Sequence, residues 1–349
     1  QVETPAESAD DQVMREETII TDLLGREVEI PSEASTFACV GPGALRLYCY
    51  VADQESLAGV ETVEKEWGNQ GRPYTMSLSN IEEIPVIGPG GPGNPPDAEM
   101  LFSAKPDIIF TCYNTDASSV DELQNKTGIP VVALSYGKSR LFDSVVYESL
   151  LLIGKITGNE DRAREVVSYF EDSLTELHER TKNLHEKSRV YLGGQSSRGA
   201  HGIESTTGDY PLFDAVNAIN VVKEAGIEEY VMLDKEKILE MDPPVIILDA
   251  AGLALVKEDY DANPQYYKNL QAFNNERVYL QMPYNYYTTN LEIALADAYY
   301  IGSVLYPDEF EDIDPAKKFD EISNFFLGIS SYEEIAGQYH GGYQKVKLW

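Results

Sequence analysis

With 349 residues, 43% hydrophobic and 25% charged, the chain has room for roughly two or three average domains and enough apolar content to bury their cores. Its 27 Lys and Arg stand against 59 Asp and Glu, and the resulting formal net charge of −32 argues against a nucleic-acid backbone or an anionic membrane surface as partner. No apolar run approaches the roughly 20 residues that span a bilayer, and Cys39, Cys49 and Cys112 form neither a metal-ligand pair nor a disulfide framework.

The opening segment, residues 1–17, is acidic, polar and aperiodic, the composition of a flexible tether. It begins at Gln1 rather than methionine, which fits removal of an export signal. "TIITDLLGREVEIP" then predicts two short strands about Gly25. "TFACVGP" predicts a strand entering a glycine turn, "LRLYCYVA" a helix and "SLAGVET" a strand. "AEMLFSAKPDIIFT" reads as helix, Lys-Pro-Asp turn and buried strand, and "VDELQNKTGIPVVAL" repeats that order with Gly128-Ile129-Pro130 as the break. Strands alternating with helices at this spacing imply a parallel α/β sheet covered on both faces.

From Phe142 to about Leu184 apolar residues recur at three- and four-residue steps, predicting helices interrupted at Gly158-Asn159. The α/β grammar then resumes. "RVYLGG" is a strand, "YPLFDAVNAI" a helix, "DKEKILEMDPPVIILDA" helix–turn–strand and "RVYLQMP" a strand. The C-terminal third returns to helix in "NLEIALADAYYIGSVLYP" and "PAKKFDEISNFFLG". The unit "DAEMLFSAKPDIIFT" of the first half is nearly repeated as "DKEKILEMDPPVIILDA" in the second. Two such lobes suggest a ligand cleft between them.

In that order, "TDLLGREVEIP", "EMLFSAKPDIIFT", "TGIPVVAL", "LLLIGKITGNEDRAREVVSYF" and "DAVNAINVV" followed by "KEKILEMDPPVIIL" resemble the substrate-binding proteins of ABC importers for iron siderophores, haem and corrinoids. The resemblance covers almost the whole chain after Thr18. It implies an α/β fold of two Rossmann-like lobes with parallel-rich sheets joined by a long helix. Residues 18–140 would form the first lobe, 141–187 the helical connector and 188–349 the second lobe with the C-terminal helices. It further implies an exported or lipid-anchored monomer with no catalytic activity and no intrinsic cofactor. Such a protein would deliver an iron chelate, haem or corrinoid to an ABC permease and ATPase. One glutamate per lobe would dock on permease arginines, Glu99 and Glu236 by alignment on the repeated unit, although Asp97 and Asp234 could serve equally.

In this fold ligands sit where strands end between the lobes. "VGPGALRLY" offers Arg46, either facing an anion or lying on a plain strand–helix turn. "WGNQGRPYTMS" supplies Trp67 and Arg72, suited to a planar anionic chelate or to a local core, and "IGPGGPGNPPDAEM" reads as a rigid cleft wall. Tyr136 ends the strand before the connector. "GGQSSRGAHG" follows a second-lobe strand and presents Ser197, Arg198 and His201, the histidine as hydrogen-bond donor or axial ligand. "QMPYNYYTTN" gathers Tyr284, Tyr286 and Tyr287, which could stack on ligand or form a half-buried aromatic surface. A Ser–His hydrolase lacks its Gly-x-Ser-x-Gly elbow, and no His/Cys spacing suggests a metal site. A bilobal tetrapyrrole chelatase using His201 is the catalytic rival.

Overall fold

The computed structural model describes residues 17–113, 116–138 and 141–347, so the segment expected as a tether lies outside them up to residue 16. Strands in chain order are β1 (Glu17–Thr21), β2 (Glu27–Pro31), β3 (Phe37–Val40), β4 (Leu57–Gly59), β5 (Ile108–Thr111), β6 (Val131–Ala133), β7 (Arg189–Gly193), β8 (Ser205–Thr207), β9 (Ile219–Asn220), β10 (Tyr230–Met232), β11 (Ile246–Asp249), β12 (Val278–Gln281) and β13 (Gln344–Lys345). They form two principal sheets, one per lobe. The first is fully parallel in the order β4-β3-β5-β6; the second runs β13-β12-β11-β7-β9, with only β13 antiparallel.

The sequences FACV, IIFT and VVA are apolar on both faces because the first sheet is covered on both, and every residue of β3, β5 and β6 is buried. On one face the helix Ala44–Val51 lays Tyr48 against Phe37 and Phe110, with ring centroids 5.9 and 6.2 Å away. On the other, Ala38, Val40, Ile109 and Val131 meet Leu101, Val120 and Leu123 of the helices Ala98–Ala104 and Ala117–Thr127. The β1–β2 hairpin is fastened to the exit of β6. There Asp22 accepts the Ala133 amide at 3.1 Å and Arg26 donates to the Val131 carbonyl at 3.0 Å.

The connector consists of the helices Ser144–Thr157 and Glu160–Thr181, broken where Gly158 takes φ 75° and its amide returns to the Gly154 carbonyl. Gly154 is required for the two to pack, since a Cβ there would lie 2.4 Å from Ala163. The longer helix buries Ala163, Val166, Val167, Phe170, Ser173, Leu177 and Thr181, a stripe at three- and four-residue steps. Phe170 contacts Tyr147 at 5.8 Å and Phe326 at 4.6 Å. Phe326 belongs to the helix Pro315–Leu327 and also meets Tyr50 of the first lobe at 5.3 Å. The 22-residue helix Glu160–Thr181 is thus the long connecting helix that the family resemblance implied, and the helix Pro315–Leu327 packs beside it onto the first lobe.

Two further elements differ from the sequence expectation. "YPLFDAVNAI" is helical only over Pro211–Ala215, because Asn217 adopts φ 52° and the chain turns into β9 beside β7. The antiparallel ribbon β8–β10 was not legible, since "STT" and "YVM" are too short to show a period. Replacing Phe170 by Ala should leave a cavity at the junction of connector, first lobe and C-terminal helices. We expect a loss of about 3–5 kcal/mol in urea unfolding, with one cooperative transition retained.

Candidate functional site

Loops leaving the C-terminal ends of the parallel strands meet between the lobes, where open α/β sheets bind their ligands. From the first lobe come Gly41–Gly43 after β3, Glu61 after β4 and the segment after β6 that holds Tyr136. From the second come residues 194–204 after β7, the segment after β11, and the turn Tyr284–Asn290 after β12.

The turn reaches across and is gripped by Arg46, which is 0% exposed. Its Nε donates to Asn290 Oδ1 at 2.9 Å, Nη2 to the Tyr286 carbonyl at 2.7 Å and Nη1 to the Tyr287 carbonyl at 3.1 Å. Tyr136 Oη lies 3.5 Å from Nη1 and donates to the Gly43 carbonyl, while the guanidinium stacks over Tyr74 at 4.6 Å. Burial would lower the Arg46 pKa, but Tyr136, Tyr74, Tyr50 and Glu292 more than offset it, so the charge is held. Arg72 is equally buried. It donates to Glu64 Oε2 at 2.7 Å and to the Gly68 carbonyl, and Tyr74 Oη shares the same carboxylate oxygen at 2.7 Å. Both arginines, expected at the ligand's negative groups, are thus engaged inside the protein. They position the site instead of lining it.

Three carboxyls share this interior. Glu64 and Glu292 have raised pKa values, chiefly through burial, with Arg72 and Arg46 respectively pulling them back down. Glu61 is pushed up to about 7, again chiefly by burial; its hydrogen bonds from Tyr287 and the Gly41 amide oppose the rise. Glu61, Glu64, Asn290 and Glu292 were not singled out from sequence. A signal existed for Glu292: with Asp297 it supplies the only charges in the otherwise apolar helix Leu291–Leu305, and such a helix is buried all round.

Around this core lies a half-buried aromatic group. Trp67 stands edge-on to Tyr286 and Tyr287, at 6.0 and 5.2 Å. Tyr284 is buried and stacks near Tyr210 at 6.4 Å, in the second lobe's interior. The loop after β7 is built from within. Ser196 directs its amide and hydroxyl to Asp249 Oδ2 at 3.2 and 2.9 Å, and Asn285 donates to the Ser196 carbonyl. Asp249 is itself raised to about 6 by burial, against the pull of those same hydrogen bonds. His201 Nε2 bonds the Ser197 carbonyl at 2.8 Å, which makes Nε2 the protonated nitrogen. No Ser–His pair forms, because Ser196 is turned to Asp249 and the imidazole to backbone. Beyond them Arg198 projects outward, exposed at φ 55° and with no ion pair among the described residues.

Glu99 and Glu236 are exposed on the helices Ala98–Ala104 and Lys235–Met241, which hold corresponding places before β5 and β11. Asp97 is spent as an N-cap, accepting the Glu99 and Met100 amides, so Glu99 is the freer of that pair. Two surface grooves lie away from all these loops. One is lined by Lys187, Arg189, Pro244 and Arg277, the other by Ile19, Glu27, Gln124 and Pro130. No helix among the described residues is long and apolar enough to cross a membrane.

Replacing Arg46 by Met should leave the Tyr286 and Tyr287 carbonyls and Asn290 without their donor. Loss of one partner from such a buried set costs about 3–5 kcal/mol, read from urea unfolding. Arg46→Lys should recover only part of it, since one ammonium cannot span three diverging acceptors.

The periplasmic binding protein family model matches residues 38–283. An uncharacterized ABC transporter substrate-binding lipoprotein of Bacillus subtilis, YvrC, is 21% identical over 314 residues, covering 88% of this chain and 93% of that protein. The iron-uptake system-binding protein of the same organism is 24% identical over 208 residues, 55% of this chain and 60% of its own. Among solved structures, the molybdate periplasmic binding protein MolA of Haemophilus influenzae, bound to molybdate, superposes with a TM-score of 0.69 at 22% identity. The match covers 90% of this chain and 98% of that one. With two parallel-rich α/β lobes meeting at their strand-end loops, and a match running from β3 past β12, the chain belongs to the periplasmic binding protein family.

Proposed function

We propose that the chain is the extracytoplasmic solute-binding component of an ABC importer, taking an iron complex, a ferric siderophore or haem, between its lobes and presenting it to a membrane permease. The observation that carries the reading is the chemistry left available once the lobe interface is satisfied. Arg198 offers a guanidinium fork with no ion pair among the described residues at a strand-end loop of the second lobe, and Trp67 and Tyr286 offer half-buried ring surface on other strand-end loops. A guanidinium fork suits the carboxylate or catecholate oxygens of a chelate, and aromatic faces suit a flat ligand. Ser197 and His201 hold the loop in shape, and Tyr136, Tyr284 and Tyr287 support the floor. One relative, the iron-uptake system-binding protein, supports the iron reading by its name, while the solved structure of MolA is bound to molybdate.

Transfer would follow docking of the exposed Glu99 and Glu236 on permease arginines, a bidentate contact that is strong yet reversible. Two bridging helices limit how far the lobes can separate, so capture would proceed with modest closure.

The test is the visible spectrum of purified protein incubated with haem, cobalamin and a panel of ferric siderophores, read with quenching of tryptophan emission. Tight binding of one iron complex without turnover is the expected result, with Arg198→Ala weakening it by about 1–3 kcal/mol, roughly 5- to 150-fold. Binding of none, or turnover of free metal and tetrapyrrole into product, would overturn the reading, the second in favour of a chelatase.

A further inference from the structure

The unit repeated in the sequence folds the same way in both lobes. Asp97 and Asp234 stand before helices of seven residues, and Leu101 and Ile238, at matching positions, are fully buried. Each helix ends on a left-handed residue, Lys105 at φ 51° and Asp242 at φ 36°. Their amides return to the Leu101 and Ile238 carbonyls at 3.1 and 3.0 Å, so the two helices correspond residue by residue. In that alignment Glu99 matches Glu236 and Phe102 matches Leu239. Glutamate and apolar residue are three positions apart and share one face of each helix.

The two faces differ at the apolar position. Leu239 is half-buried and packs against the core. Phe102 is 61% exposed, the most exposed aromatic side chain among the described residues, and Met100 beside it is exposed as well. The helix Ala98–Ala104 packs through Leu101, its one buried residue, and does not need Phe102 to do so. A lone exposed apolar side chain calls for no explanation. This one lies one turn from Glu99, on the face already assigned to a partner, while its counterpart in the second lobe is turned inward.

We propose that Phe102 anchors the first-lobe docking pad, seated in an apolar socket of the permease beside the arginine that receives Glu99. This role rests on the docking of Glu99 proposed for the importer, and it specifies the partner's chemistry: an apolar hollow with a cationic rim. Charge selects that partner. Asp97 and Glu99 place carboxylates next to the ring, and a chain of net charge −32 repels a second copy of itself or an anionic lipid surface. A seated ring would also exclude water from the Glu99–arginine pair and so strengthen it. In the second lobe Lys237 pairs with Glu240 at 2.8 Å around Glu236, leaving a face of mixed charge with no protruding apolar group. The first lobe therefore carries the larger share of docking.

The test uses the full chain without solute and its own permease–ATPase complex in lipid nanodiscs, with binding followed by interferometry. Phe102→Ala should weaken docking about 10- to 100-fold, and Phe102→Leu should recover most of the loss. Both variants should keep the far-ultraviolet circular dichroism and urea midpoint of the parent, because the side chain is exposed. Leu151→Ala, which removes an apolar side chain 40% exposed on the connector, should have no effect. Docking that survives Phe102→Ala but is weakened by Glu99→Arg overturns the anchor and leaves Glu99 its role. Docking insensitive to both, or absent from the parent protein, overturns the importer reading and the anchor with it. An equal loss with Leu151→Ala would mark general adhesion and overturn the anchor. So would a Phe102-dependent dimer in sedimentation, or Phe102-dependent binding to phosphatidylglycerol vesicles, in place of permease docking.

Discussion

The architecture depends on one buried guanidinium. Arg46 rises from the first helix of the first lobe, and three of its hydrogen bonds end on a turn of the second lobe some 240 residues later. A charge fully removed from water is tolerated only where its donors are met and counter-charge lies near. The Tyr286 and Tyr287 carbonyls, Asn290 and the neighbouring Glu292 meet that condition together. The same demand fixes where the lobes can sit, because three acceptors diverging from one planar group admit few relative placements. Lobe geometry is set here by polar valence, and the two bridging helices add apolar packing to it.

This changes how an acidic protein uses its few cations. Lys and Arg number 27 against 59 acids, and two of the arginines are fully buried, Arg46 on the second-lobe turn and Arg72 on Glu64 and the Gly68 carbonyl within the first lobe. Each is surrounded by carboxyls whose ionisation its presence favours and whose burial disfavours it, as the opposing influences on Glu64 and Glu292 show. Arg198, by contrast, is exposed on a loop tip, in a left-handed conformation beside the hydrogen bonds of Ser197 and His201. That loop drew attention as a possible catalytic cluster, but its serine and histidine serve its shape.

Much of the fold was legible because parallel sheets write themselves locally. "KPDIIFT" and "PPVIILDA" each carry a turn residue followed by a run apolar on both faces, and both became central strands. The connector was legible from its three- and four-residue spacing and from Gly158. The site was legible only as a set of loops. Which residues of a loop face ligand and which face the other lobe depends on partners far away in the chain, such as Asn290 for Arg46 or Tyr287 for Glu61. Periodicity carries no information at that range, so Arg46, Arg72 and Arg198 could not be told apart as exposed or enclosed. The short strands β8, β9 and β13 were invisible for a different reason: they contain no full alternation and, unlike the three-residue β4 and β6, no apolar run to detect.

β13 has a consequence for the order in which the molecule assembles. The chain leaves the second sheet after β12 and packs the helix Pro315–Leu327 against connector and first lobe. Only then does it return to pair Gln344 and Lys345 with the open edge of β12. The last strand among the described residues therefore seals a sheet whose other members lie up to about 155 residues earlier. The first sheet, by contrast, is complete by Ala133. The two sheets accordingly differ in how local their pairing is, the first closing within about 100 residues and the second leaving the β12 edge unpaired until a distant segment returns to it.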